Sequence, residues 1–482
     1  MLLSIKLIGQ NPDIKRTWHW YFGAGAGLDF SSGYPVADTS GRLHSYESCA
    51  VMSDTAGNLL FYTDGDTVWD KNHQVILNGT GLLGCGNYNN SSTQGAVIVP
   101  YPKNDSLFYI FTSDCFENQG INGYRYHIVD IKNNIVISKN NYLYAPSTEG
   151  MCVVKHFNNI DYFLITHEFM SNNFRVYKID DTLGLIHTPI ISSIGQKITD
   201  YIIAIKVSPN GKKLAIASQN TTANQIFDFD NKTGKINKVI NLGVRDSLLP
   251  QGISYYVEFS PDNSKIYYMV NGNYIYQYCL SEDGDSTQIT QTFNIIAYVD
   301  DNSMFGQLQL DPIGGIIIAA QYHDSISYIR TPNEYGNKSN IQIKKLPLKK
   351  LSLLGLPNFI SNYFIDSKNT SLHCDANNNI EINVRFLYIP NIFTPNGDDV
   401  NDYFIIQLAG YKHIAYTIYN RWGMLIRQGK REIEPESNKE IKLWDGTYEG
   451  YKVSSGIYYY RIVLTKMNDE QEIKTGYIQV MY

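Results

Sequence analysis

Short apolar runs alternate with polar, turn-forming clusters along most of the chain. An apolar strand, a turn of Pro, Asn, Asp or Gly, and a second strand ending in small or aromatic residues recur six times. The copies are VMSDTAGNLLFYT, VPYPKNDSLFYIFT, VVKHFNNIDYFLIT, IKVSPNGKKLAIAS, VEFSPDNSKIYYMV and LQLDPIGGIIIAAQ. Their turns fall near positions 55, 103, 158, 209, 261 and 312, a period of about 50 residues of the kind that marks propellers and solenoids. Asn271-Gly272 separates KIYYMV from NYIYQYCL and reads as a two-residue type I′ turn, which needs φ > 0 at both positions. Pro209, Pro261 and Pro312 open their turns, where a fixed φ suits and no ladder donor is required. One or two further strands follow each pair, as in NQIFDFD then KINKVINL. About four strands per repeat make a propeller blade.

Two pieces stand outside the six repeats, TWHWYFGAGAGLDF at the start and GLPNFISNYF near residue 360. Both read as strands whose pairing would complete a seventh blade and remove the open sheet edges. Trp18, Trp20, Phe22 and Phe359 are then packing residues. Near Asp366 the texture turns polar, in DSKNTSLHCDANNN, which marks a linker. Beyond it RFLYIPNIF, YTIYNRW, MLIRQ, KLWDG, SGIYYYRIVLT and IKTGYIQVMY form six or seven short strands in about ninety residues, the size of a β-sandwich. In SGIYYYRIVL, Tyr458, Tyr460, Ile462 and Leu464 share one face, and Ile457, Tyr459, Arg461 and Val463 the other. The expected fold is all-β: a seven-bladed β-propeller over 17–365, a linker over 366–388 and an immunoglobulin-like β-sandwich over 389–482.

Composition agrees with this pattern. Only 18% of residues are charged, and 38 Tyr and 37 Gly suit half-buried strands and tight turns better than helices. A formal charge of −6 without a long basic run argues against nucleic-acid binding. The opening MLLSIKLIG is apolar but shorter than the ~15–30 residues of a signal peptide. Residues 1–9 are read as a truncated signal peptide, with a first strand as the alternative. No other stretch reaches the ~18 apolar residues of a membrane helix. Six cysteines, at 49, 85, 115, 152, 279 and 374, show no C-x-x-C spacing. Each taken singly is expected as a buried thiol, Cys279 as core, although an even count permits disulfides after export.

The stretch 389–482 resembles the gliding-motility-associated type B C-terminal sorting domain of type IX secretion. The resemblance is carried by FTPNGDDVNDYF (393–404), YNRWGMLI (419–426), LWDGTYEG (443–450) and SGIYYYRIVL (455–464). It implies export through the periplasm to the cell surface or beyond, and contact with the type IX translocon and its outer-membrane carrier barrel. A dedicated outer-membrane barrel partner and a gliding adhesin are further partners that it suggests. The N-terminal region also resembles the propeller-like modules that precede such domains, in FGAGAGLDFSSGYPVA (22–37), GNLLFYTDGDTVWDKNHQVILNGTGLLG (57–84) and STQGAVIVPYP (92–102).

Candidate chemistry is sparse. Asn396, Asp398, Asp399, Asn401 and Asp402 offer close-spaced oxygen donors, with Asp398, Asp399 and Asp402 as a weak Ca²⁺ set; turn capping by Asx side chains explains the same letters. Arg421, Trp422, Trp444 and Asp445 are candidates, with that loop, for the surface the carrier reads, against a core role for the tryptophans. Asp64 and Asp66, and Glu149, His156, His167 and Glu168, are the acidic and imidazole groups of the repeats. His167-Glu168 does not extend to H-E-x-x-H, since Ser171 takes the second histidine position. His44, His73, His127 and His413 stand isolated among strands. Nucleophile-elbow, P-loop and dinucleotide motifs are absent, and no catalytic residue or cofactor is assigned. The reading is therefore a non-catalytic interaction protein whose C-terminal domain is the secretion signal and whose propeller binds, in one form an accessory or adaptor to a gliding adhesin. The competing reading is a secreted polysaccharide hydrolase or lyase with its site at the propeller channel.

Overall fold

The structure is a computed structural model. It describes residues 11–86, 89–219, 224–242, 254–280, 284–299, 304–364, 386–398, 401–409, 411–433, 439–466 and 469–482. The proposed signal peptide, most of the linker, Cys374 and Asp399 lie outside them. The chain divides into two compact units, Met1–Phe293 with Val299–Ala376 and Asn294–Tyr298 with Asn377–Tyr482.

Seven antiparallel sheets succeed one another among the described residues of the first unit. The first is His19–Phe22, Ala26–Asp29 and Val36–Ala37, and the second Ala50–Ser53, Leu59–Thr63 and Val68–Asp70. The third is Ala96–Tyr101, Asn104–Ser113, Tyr124–Asp130 and Ile135–Tyr144. The fourth contains Ser147–Lys155, Tyr162–Glu168 and Ser171–Asp180, the last pairing with both Gly184–Leu185 and Ile190–Ile198. The fifth is Ile203–Val207, Lys213–Ser218, Gln225–Asp230 and Lys235–Asn241. The sixth contains Ser254–Phe259, Lys265–Val270 and Tyr274–Cys279. The seventh is Phe305–Leu310, Ile316–Ala320, His323–Ile329 and Ile341–Ser352.

All six turns of the repeat lie between the first and second strands of the second to seventh sheets. Local chemistry explains the last three. The residue before each turn proline accepts the returning backbone amide: Lys213 N–H to Ser208 Oγ at 2.9 Å, Lys265 N–H to Ser260 Oγ at 2.8 Å and Gly315 N–H to Asp311 Oδ1 at 2.9 Å. Asn271 and Gly272 have φ of 52° and 74°, as a type I′ hairpin requires. The first strand of each sheet from the first to the seventh touches that of the next. The last sheet returns to the first, where Ala24 N–H bonds Leu351 O at 2.9 Å. A ring closed in this way is propeller-like, and it leaves few strand edges open.

The segment 355–364 departs from expectation. It is not a strand but coil ending in the 3₁₀ turn Ser361–Phe364. Its polar groups cross between sheets instead of forming a ladder. Leu356 N–H bonds Gln307 Oε1 at 2.8 Å, Asn358 N–H bonds Cys49 O at 3.0 Å, and Asn362 Nδ2 bonds Pro209 O at 2.9 Å while its Oδ1 accepts from Lys155 N–H at 2.6 Å. Phe359 still packs as expected, 5.6 Å from the Trp20 ring.

Cys85 and Cys115 form a disulfide with Cα atoms 5.4 Å apart, which corrects the buried-thiol expectation for that pair: they are 30 residues apart in sequence, yet the fold brings them together. Cys49, Cys152 and Cys279 are buried thiols.

The second unit has a three-stranded sheet, Phe386–Tyr388, Phe404–Ala409 and Lys439–Trp444, and a five-stranded one. The latter runs in the order Ile392–Phe393, Gln471–Val480, Gly456–Lys466, Tyr411–Tyr419, Leu425–Glu432. Side chains from both sheets share one core, among them Phe404, Ile406, Leu443 and Trp444 from the first and Ile414, Ile418, Ile462 and Ile478 from the second. Tyr458, Ile462 and Leu464 point inward and Ile457, Tyr459 and Arg461 outward, the alternation read from SGIYYYRIVL.

Candidate functional site

Polar side chains of the first unit concentrate where the innermost strands converge. The Lys206 ammonium lies 3.0 Å from Glu258 Oε2 and donates to Gln309 Oε1 at 2.7 Å. All three are buried, and burial raises the Glu258 pKa against the opposing pull of Lys206. Gln94 joins the third sheet to the fourth and fifth: its Oε1 accepts from Met151 N–H at 3.2 Å and Ile205 N–H at 2.7 Å, and its Nε2 donates to Ile205 O at 2.9 Å.

Glu47 and Glu149 are a second group. Glu47 Oε1 accepts from Tyr255 Oη at 2.7 Å and Tyr256 Oη at 2.8 Å. Glu149 Oε2 accepts from Thr93 N–H at 3.0 Å and Thr93 Oγ1 at 2.5 Å, and its Oε1 from Phe116 N–H at 2.7 Å. Each glutamate is 1% exposed. Burial pushes Glu149 up to about 7, and burial with the neighbouring Glu149 charge pushes Glu47 well above the usual carboxylate range.

Of these residues the sequence reading had singled out only Glu149. A signal was present for others. Lys206, Glu258 and Gln309 each stand two residues before a Ser or Asp that precedes the turn proline, in IKVSP, VEFSP and LQLDP. Charges inside otherwise apolar strands at one repeat position call for buried partners.

The remaining repeat candidates have local roles. Asp64 Oδ1 caps Asp66 N–H at 2.9 Å and Thr67 N–H at 2.8 Å, and its burial raises it to about 6. Asp66 Oδ2 accepts from Thr67 Oγ1. His127 contacts Thr112 Oγ1 through Nε2 and accepts from Asn140 N–H through Nδ1, and burial lowers it to about 3. His167 sits edge-on to Phe174, lowered to about 4 by burial, and Glu168 pairs with Arg175. His156 accepts from Asn158 N–H at 3.1 Å, and His73 lies 3.1 Å from Tyr62 Oη.

In the second unit the candidates divide. Trp444 is 2% exposed, donates from Nε1 to Thr447 O at 2.8 Å and packs against Phe393 and Tyr458. It is a core residue. Trp422 is 80% exposed at the tip of the hairpin between Tyr411–Tyr419 and Leu425–Glu432, with the Arg421 guanidinium 5.1 Å from its ring centroid. Asn420 Oδ1 holds the tip by accepting from Trp422 and Met424 N–H, both at 3.0 Å, and Gly423 supplies the positive φ of 80°. Asp445 Oδ1 accepts from Thr447 N–H and Oγ1. In the 396–402 loop, Asn396 Oδ1 caps Asp398 N–H at 3.1 Å, Asp402 Oδ1 caps Gly397 N–H at 2.6 Å, and Asn401 O accepts from Thr394 N–H at 2.9 Å. Asx capping is thus present there.

The first unit is a ring of sheets and the second a two-sheet unit bearing an exposed aromatic turn. Residues 387–480 match the family model described as the CHU_C Type IX secretion signal domain. The second unit therefore carries a signal for export to the cell surface or extracellular space. Among curated proteins none matches the chain. Similar solved structures include Kuenenia stuttgartiensis hydrazine synthase, 13% identical with a TM-score of 0.38 over 71% of this chain and 98% of that one. The Cps50 (Swd1) β-propeller domain of Myceliophteria thermophila is 11% identical, with a TM-score of 0.38 over 63% and 93%. The extracellular domain of the putative one component system BT4673 from B. thetaiotaomicron is 10% identical, with a TM-score of 0.35 over 96% of this chain and 56% of that one. Among the described residues no helix is long and apolar enough to cross a membrane.

Proposed function

We propose that the protein is a non-catalytic binding protein of the cell surface or extracellular space. On this reading the first unit is a seven-bladed β-propeller that presents a binding face, and the second an immunoglobulin-like sandwich read by the type IX translocon and its outer-membrane carrier barrel. The observation that carries it is the secretion-signal match confined to residues 387–480, a stretch within a compact unit with its own core. The exposed Trp422 and Arg421 suit the carrier contact, since aromatic and Arg side chains make good interface anchors. A surface accessory or adaptor to a gliding adhesin, with a dedicated outer-membrane barrel as partner, is the specific form of the proposal.

Among the described residues, the interacting pair Glu47 and Glu149 is the feature that favours the hydrolase reading. Their burial supports binding instead, because a polysaccharide must reach the carboxylates that cleave it. Affinity isolation of the full chain from the native outer membrane tests the proposal. Type IX outer-membrane components are expected with the wild type and depleted with Arg421→Ala/Trp422→Ala. Recovery without any such component would overturn it.

A further inference from the structure

Among the described residues Glu47 and Glu149 have no ion-pair partner, in a place built to hold them. Glu47 lies just ahead of the second sheet, its N–H bonding Asn90 O at 3.1 Å. Gly355 of the closing segment rests on it so closely that a Cβ there would stand 1.7 Å from Glu47 O. Glu149 comes from the fourth sheet, and Tyr255 and Tyr256 from the sixth. Tyr255 and Tyr256 donate to Glu47, Thr93 donates to Glu149, and the Glu149 charge acts on Glu47.

Two side-chain oxygens in this group are buried and have no hydrogen-bond partner among the described residues, Glu47 Oε2 and Asn90 Oδ1. Both can only accept when the carboxylate is ionised. The buried Lys206 ammonium is engaged by Glu258 and Gln309. An ionised carboxylate buried without a counter-charge is costly, and here two of them influence each other. The donor set of carboxylates, phenol hydroxyls and an amide carbonyl offers oxygen with no nitrogen or sulfur ligand, the preference of hard divalent cations.

We infer that the Glu47–Glu149 pair binds a hard divalent cation, Ca²⁺, with Glu47 Oε2 as a direct ligand. The ion ties the second, fourth and sixth sheets together beneath the closing segment. It is a different site from the 396–402 loop, whose side chains already cap their own backbone.

The test is calorimetric titration of the chelator-treated full chain with Ca²⁺ at pH 7.5, alongside thermal unfolding and Tb³⁺ luminescence excited through tyrosine. The expected result is saturable binding, a Ca²⁺-dependent rise in unfolding temperature, and sensitised Tb³⁺ emission that Ca²⁺ displaces. Glu47→Gln should weaken binding by about tenfold or more, the loss of a charged ligand from a site that tunes affinity by ligand charge. Asp398→Asn/Asp402→Asn should leave it unchanged. Glu149→Gln gives an independent variant should Glu47→Gln fold poorly. The inference is overturned if no binding occurs up to about 10 mM, above the range of extracellular Ca²⁺ modules. It is equally overturned if binding survives Glu47→Gln and Glu149→Gln but is lost in the loop variant, or if acid alone stabilises the chain and Ca²⁺ does not.

Discussion

The two units bury different things. In the first, side chains as polar as Lys206, Glu258, Glu47, Glu149, Gln94 and His127 are buried and bonded across sheets. In the second, the buried side chains among the described residues are aliphatic or aromatic, and the polar tips of Trp444 and Tyr458 are satisfied by nearby carbonyls. A ring of sheets brings several innermost strands face to face around one axis, and polar groups there can specify which strand meets which. Two sheets closed on one another need only complementary apolar faces. The second unit instead places aromatic groups outward, where a partner can read them.

The largest effects should come from breaking each interior by its own weakness. Lys206→Met leaves Glu258 buried without its counter-charge and should cost about 3–5 kcal/mol, whereas Lys206→Met/Glu258→Met should recover most of it. Denaturant unfolding of both variants checks this, and a double variant no better than the single would contradict the picture of a paired charge. Trp444→Ala should cost a similar ~3–5 kcal/mol, confined to the second unit.

The hairpins and strand faces of both units are legible in the sequence, for a physical reason, while the partners of the buried polar groups are not. Hairpins are local, so the turns at 55 to 312 and the Asn271-Gly272 hairpin could be placed from neighbouring residues. The inward face of SGIYYYRIVL followed from period-2 alternation. The long-range features were not local. Gly355 meets Glu47 across some three hundred residues, and Tyr255 meets Glu47 across two hundred. The apolar residues of segment 355–364 suit a strand, but its amides find partners in several sheets. The contrast between Trp422 and Trp444 is illegible because both stand within two residues of a turn glycine, and only packing separates them.

A moderate effect should appear with pH. The folded pKa of Glu149, about 7, exceeds its unfolded value, so the folded state binds the proton more tightly. That stabilisation is full below the unfolded carboxylate pKa and is lost as pH rises through about 7. Buried neutral His127, lowered to about 3, acts in the opposite sense, its contribution being lost as pH falls below the unfolded histidine value. The difference between wild type and Glu149→Gln isolates the first. Without added divalent ions, the variant's stability relative to wild type should increase from pH 5 to pH 7.5 in a paired unfolding series, and a flat difference would contradict the burial argument.

The smallest effect on stability should be that of Trp422→Ala, within about 0.5 kcal/mol because the side chain is exposed. Its effect on export should be much larger. Equal surface levels of Trp422→Ala and wild type would remove this turn from the recognition surface.

The most direct measurement is the location of the chain lacking residues 387–482, followed by fractionation and surface protease accessibility in the native host. The truncated chain is expected to fold, resist proteolysis and accumulate in the periplasm. Its normal appearance at the cell surface or in the medium would contradict the assignment of the second unit as the export signal.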